Sequence, residues 1–155
     1  MDKIDREIVM LLQKDASLPV ADIARKVGLS VTPCWRRIQK MEEDGIIRGR
    51  VALLDSEKIG MGMSVFVGIK TDQHNAIWLQ QFADTVSSFP EVVEFYRMSG
   101  EVDYMLRVVV PDMASYDVFY KKLIGNIELK DVSSSFAMEE IKYTTALPLP
   151  DHIKP

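Results

Sequence analysis

One cysteine in 155 residues leaves no partner for an intrachain disulfide and fits a reducing compartment. Histidine is almost as scarce. His74 and His152 stand far apart in sequence and, with Cys34, give no metal-ligand spacing, so no metal site is expected. No apolar run approaches the roughly 18 residues that a membrane helix needs, so no membrane partner is expected. The N-terminus MDKIDREIVMLL carries acids in its first turns and no signal-peptide pattern, and from the lone cysteine a cytoplasmic location is expected. Also missing is a cluster of His, Cys and carboxylates suited to acid–base or nucleophilic chemistry. Glu139 and Glu140 are adjacent and would face opposite sides of a strand. An enzyme on this chain is the weaker expectation: no catalytic residue and no cofactor is assigned.

What is present is 47% hydrophobic residues, enough for real cores, and an uneven charge. The chain as a whole carries −4. Residues 1–50 hold ten Lys/Arg against eight Asp/Glu, or +2, and residues 51–155 hold nine against fifteen, or −6. Within 25–50 the balance is seven against three, or +4. A basic patch of this kind supplies the salt-dependent phosphate contribution to DNA binding, whereas the acidic second half needs another role.

The patch coincides with the most informative stretch, VADIARKVGLSVTPCWRRIQKMEED at 20–44. Ile23, Ala24 and Val27 make one helical stripe, Gly28-Leu29-Ser30 breaks it, and Cys34, Ile38 and Met41 make a second. Ser30 is a good N-cap, and Pro33 sits in the first turn, where its missing N–H costs little. Two short helices joined by a Gly-containing turn are the helix-turn-helix signature, whose second helix enters the major groove. At 100° per residue Thr32, Arg36, Gln39 and Glu43 point away from the core, Trp35 and Lys40 flank them, and Arg37 lies near the boundary. Ser30, Thr32, Pro33, Trp35, Arg36, Arg37, Gln39 and Lys40 are the candidate DNA-binding residues, with Arg48 and Arg50 flanking the backbone. The competing reading is an ordinary solvated helix face. Cys34 falls on the buried stripe, which favours core packing over redox sensing.

A first helix is expected over Asp2 to Lys14, and Gly45 suits a left-handed helix end. Residues 46–54 are β-prone. Past the glycines of 55–62 the pattern alternates: strands at Met63–Lys70, Val92–Met98, Tyr104–Val110 and Asp131–Tyr143, and helices at Asn75–Ser88 and from Pro111-Asp112 onward. This β-α-β-β-α-β order is the split βαβ, ferredoxin-like arrangement. Its helix-free face needs cover, for which Phe66, Phe95, Leu106 and Phe136 are the candidates, so a two-fold homodimer is expected. The fold class is α+β: an N-terminal (winged) helix-turn-helix domain at 1–50, a linker strand at 51–62, a second domain at 63–150 and a frayed tail at 151–155.

Several fragments carry a family resemblance: Asp5…Ile8…Leu12-Gln13, Leu29-Ser30-Val31-Thr32-Pro33-Cys34-Trp35-Arg36-Arg37, Gly45-Ile46-Ile47, Gly100-Glu101-Val102-Asp103-Tyr104, and Met138 to Leu149. In this order and spacing the chain resembles the Lrp/AsnC, or feast/famine, family of transcriptional regulators from near Asp5 to Leu149. The resemblance implies double-stranded DNA as one partner. It also implies an amino-acid-responsive RAM domain that forms homodimers, then octamers or another tetramer of dimers, on the nucleoid of the cytoplasm. It further implies a small amino-acid effector between dimers, at the turn Met98, Ser99, Gly100, Glu101, Asp103 and Tyr104, completed by Ser134 and Ser135 from a neighbouring subunit. Gly100 permits close approach, backbone N–H groups can hold a carboxylate, and Asp103 can pair with an ammonium. Trp35 stands where many relatives carry Leu or another aliphatic residue, and Val31 where proline is frequent. Residues 51–62 and 134–138 look closest to a cysteine-responsive branch, which makes a sulfur amino acid, cysteine or methionine, the first effector guess, with leucine as a further one. A ligand-independent architectural DNA-organising protein is the alternative.

Overall fold

The computed structural model describes residues 1–73 and 75–150; His74, His152 and the tail assigned to 151–155 lie outside the described residues. The chain separates into two compact units, Met1–Leu53 with the segment that starts at Ile141, and Leu54–Glu140.

The first unit holds three helices, α1 (Lys3–Lys14), α2 (Val20–Lys26) and α3 (Val31–Glu43). Asp2 caps α1 in a capping box: its side chain accepts from Asp5 N at 2.8 Å, and the Asp5 side chain accepts from Asp2 N at 2.9 Å. Gly28 and Gly45 close α2 and α3 with φ of 70° and 71°. Ser30 occupies the α3 N-cap in extended conformation, yet its hydroxyl makes no capping bond; the helix starts with Cys34 N donating to Ser30 O. Ile8, Val9, Leu12, Ile23, Ala24, Cys34, Ile38 and Met41 form the core. All three expected members of the α3 stripe are buried in it.

Residues 46–62, read above as β-prone and partly as a linker strand, form no strand. β propensity does not create a strand without neighbouring backbone to pair with, and here the chain runs exposed, Val51 at 78%. Residues 141–150, assigned above to the second domain, return to the first unit. Leu149 packs against the helical core, Leu147 N donates to Gln13 Oε1 at 2.6 Å, and Gln13 Nε2 donates to Leu147 O at 3.2 Å.

The second unit is a four-stranded antiparallel sheet with two helices: β1 (Met63–Lys70), α4 (Ala76–Ser87), β2 (Val92–Arg97), β3 (Tyr104–Val110), α5 (Met113–Asn126) and β4 (Asp131–Phe136). The strand order β2-β3-β1-β4 is the ferredoxin-like arrangement. Asn75 and Asp112 cap α4 and α5 by accepting from Trp78 N and Ser115 N. Val65, Val67, Ile69, Leu106, Val108 and Val110 form one sheet face, packed against Phe82 and Val86 of α4 and Phe119 and Leu123 of α5.

β4 ends at Phe136 rather than Tyr143. Its one neighbour is β1, with Val65 opposite Phe136, and β1 starts at Met63. After Ala137 N donates to Ser64 O there is no partner backbone left. The expected cover of the open face also changes. Leu106 pairs with Val67 and Phe95 stacks edge-on to Phe82, so both lie under the helices. Phe136 meets Tyr116 of α5 at 5.2 Å. Of the four named residues, Phe66 faces the open side, opposite Arg107 and 41% exposed.

Candidate functional site

The outward surface of α3 is set by its buried stripe. With Cys34, Ile38 and Met41 inward, Thr32, Pro33, Trp35, Arg36 and Lys40 are exposed and Gln39 is half-buried. Trp35 is 50% exposed, free to lie against a sugar-phosphate backbone. Ser30 precedes the helix, also exposed.

The basic residues divide by their partners. Arg36 and Arg48 make no ion pair within 4 Å among the described residues. Lys40 pairs with Asp44 at 3.2 Å between exposed side chains, and exposed Arg50 pairs with half-buried Glu42 at 2.8 Å; ion pairs so open to solvent are weak. Gln39 Nε2 donates to Glu42 Oε2 at 2.9 Å. Arg37 differs: its Nη1 donates to Asp2 Oδ2 at 2.6 Å and Asp5 Oδ1 at 2.8 Å. Its guanidinium is held more firmly protonated by Asp5 and Asp2. The Asp2 carboxyl lies below its usual range, through the Asp5 N–H first and Arg37 second. Burial pushes the Cys34 thiol up, against a weaker pull from Arg37, so it lacks the lowered pKa of a reactive thiol.

In the second unit the candidate effector turn joins β2 to β3. Met98, Ser99, Gly100 and Glu101 are exposed. Gly100 has φ 131°, a region that side chains with Cβ rarely adopt. The turn is tied at its base: Met98 N donates to Asp103 O, Asp103 N to Ile69 O, and Asp103 Oδ2 accepts from Thr71 N at 2.8 Å. Asp103 therefore fixes the buried Thr71 as well as standing at the turn, and Lys70 lies 3.6 Å from Glu101. Tyr104 is 6% exposed, its ring packed among Trp78, Phe82 and Phe95. Ser134 bonds the Tyr116 hydroxyl beneath α5, while Ser135, opposite Phe66, lies on the open face. Among the described residues neither serine side chain hydrogen-bonds to the turn.

Sequence reasoning missed Gly68 and its surroundings. A Cβ at Gly68 would lie 2.8 Å from Ser133 Oγ and 3.1 Å from Val102 Cγ1, so this glycine lets the turn and β4 close over the sheet. A glycine inside the alternating MSVFVGIK was the available signal. It also missed Asp2 and Asp5 as partners of Arg37, although their three-residue spacing marks a cap. Among the described residues no group of three or more His, Cys, Asp or Glu could hold a metal, and no helix is long and apolar enough to cross a membrane.

Both units match known families. Residues 1–48 match a winged helix-turn-helix DNA-binding model, and residues 64–147 match the Lrp/AsnC ligand binding domain. The chain is 53% identical over 150 residues to the DNA-binding transcriptional activator DecR of Escherichia coli, covering 96% of this chain and 99% of that protein. A crystal structure of an AsnC family transcriptional regulator from Agrobacterium tumefaciens is 66% identical, with a TM-score of 0.93 over 96% of this chain and 97% of that one. A transcriptional regulator from Neisseria meningitidis, solved in complex with L-methionine, is 34% identical with a TM-score of 0.91 over 96% of each chain.

Proposed function

Because the chain belongs to the Lrp/AsnC family of ligand-responsive DNA-binding transcriptional regulators, we propose that a small amino acid bound at the β2–β3 turn controls its assembly and its affinity for DNA. The observation that carries this reading is the turn itself. It is exposed, Gly100 opens its backbone, and Asp103 Oδ2 is spent on Thr71 N, which leaves Oδ1 for an ammonium. The turn also falls within the residues matched by the ligand-binding domain. L-methionine is the first candidate, since the Neisseria meningitidis relative was solved with it, and cysteine and leucine follow.

In this reading α3 enters the major groove. Arg36, Gln39 and Thr32 read base edges, Trp35 lies on the backbone, and Lys40, Arg48 and Arg50 hold phosphates. The open sheet face, with Phe66 and Tyr96 exposed around the Arg107–Glu94 pair, supports a two-fold dimer. Two recognition helices then sit about one DNA turn apart. Dimers assemble into an octamer or another tetramer of dimers, with Ser135 of one subunit near the turn of another, on the nucleoid in the cytoplasm. The effector shifts DNA binding only through its different affinity for the assembly states.

A thermal-shift screen of the full chain against the twenty amino acids, with sizing, tests this. A ligand that binds the folded protein raises the midpoint. A rise with methionine, cysteine or leucine, accompanied by a change in assembly, is the expected result. A flat response to all twenty, in a chain that still binds DNA, contradicts amino-acid sensing and favours a ligand-independent organiser.

A further inference from the structure

We propose that Arg37 sets the pose of the recognition helix through Asp2 and Asp5, and does not itself contact DNA. The inference rests on α3 being the helix that enters DNA. The geometry is a closed charged triad in which every carboxylate oxygen has a donor. Asp2 Oδ1 accepts from Asp5 N and Asp5 Oδ2 from Asp2 N, which builds the cap of α1. The two remaining oxygens, Asp2 Oδ2 and Asp5 Oδ1, both accept from Arg37 Nη1. The start of α1 and the middle of α3 are thereby fastened to each other at one point.

Availability argues against a phosphate contact. To reach DNA, the guanidinium must release two charge-assisted bonds and leave Asp5, whose side chain is 17% exposed, without its cation. Arg36, one residue earlier and about 100° around the helix, has no such ties. The apolar contacts between α1 and α3 hold the helices together but are non-directional. The triad adds direction, because a rotation of α3 about its axis stretches both bonds. The same rotation would move Trp35, Arg36 and Gln39 together, so its loss harms a sequence-specific contact more than a general one.

The test uses the full chain with two DNA probes: the tightest duplex the parent protein selects from a randomised pool, and an unselected random-sequence duplex. Asn caps helices about as well as Asp, so D2N/D5N removes two negative charges with little loss of capping. By electrostatics alone that variant should bind DNA more tightly, and it frees Arg37 for a phosphate. The positioning role requires the opposite: affinity for the selected duplex falls about three- to tenfold while the unselected duplex is held as well or better. R37Q loses a similar factor with an unchanged salt slope, the triple variant loses no more than R37Q, and R37K recovers part of the loss.

A D2N/D5N variant that binds the selected duplex as tightly as the parent overturns the proposal. So does an R37Q variant whose salt slope drops by about 0.9, the signature of one lost phosphate contact. Should R37Q melt below the assay temperature, D2N/D5N and R37K still decide the sign. R36A separates this failure from the larger one: unchanged binding there would remove α3 from the DNA and take the positioning role with it.

Discussion

The two units of this chain are held by different means. The second is built on burial: Trp78 and Phe82 of α4 pack on Phe95 and Tyr104 of a sheet whose inner face is otherwise a run of Val, Ile and Leu. The first has no aromatic residue in its buried core and is trimmed by polar clamps, Arg37 on Asp2 and Asp5, and Gln13 on Leu147. Dispersion and hydrophobic burial tolerate changes of pH and salt, whereas clamps between charged side chains do not. The regulator thus joins a robust ligand-binding body to a DNA-binding body whose details follow a few polar contacts.

The contrast can be broken most forcefully at Phe82, which is fully buried between α4 and the sheet. Phe82→Ala should cost about 3–5 kcal/mol in the second unit's unfolding free energy, read by denaturant titration of tryptophan fluorescence. Trp78 packs on that ring at 4.8 Å, so it reports the second unit, whereas Trp35 reports the first. A loss confined to the Trp35 signal would contradict the assignment of burial to the second unit.

A stop codon after Glu140 comes next. It removes Leu149 from the helical core and both Gln13 bonds, and should cost the first unit about 1–3 kcal/mol. Equal stability by the Trp35 signal with and without the tail would show that residues 141–150 are ornamental.

The smallest effect is on pH. The Asp2 carboxyl is held below its ordinary value, so its stabilising contribution is complete above about pH 3.9, the unfolded value, and is lost as pH falls through the lower folded one. The first unit's melting temperature should therefore decline on acidification below that point, and Asp2→Asn should flatten the decline. An identical acid profile in both proteins would contradict it.

Much of this was legible in the sequence, because short-range patterns decide helices. The stripe Cys34, Ile38 and Met41 and the left-handed Gly45 follow from spacing and residue type alone. The succession of strands and helices along the second unit also emerged, since alternation and turn residues mark each strand. The rest depended on partners distant in sequence. Alternation says that Phe95 and Tyr96 face opposite ways but not which faces the helices; that needs the register pairing Phe95 with Leu106. The end of β4 is set by where β1 begins. Arg37 lay near the boundary of the outward face, and only Asp2 and Asp5, more than thirty residues away, decide where it points. The turn at 98–104 was readable from its Gly and Asp, but the tie from Asp103 to Thr71 was not.

The most direct measurement is a DNA-binding isotherm of the full chain on its selected duplex, with and without a saturating amount of the amino acid that gives the largest thermal shift. Linkage predicts that the dissociation constant changes by about 5- to 150-fold, and that DNA changes the amino acid's affinity by the same factor. An unchanged dissociation constant, with the amino acid demonstrably bound, would contradict an effector that controls DNA binding.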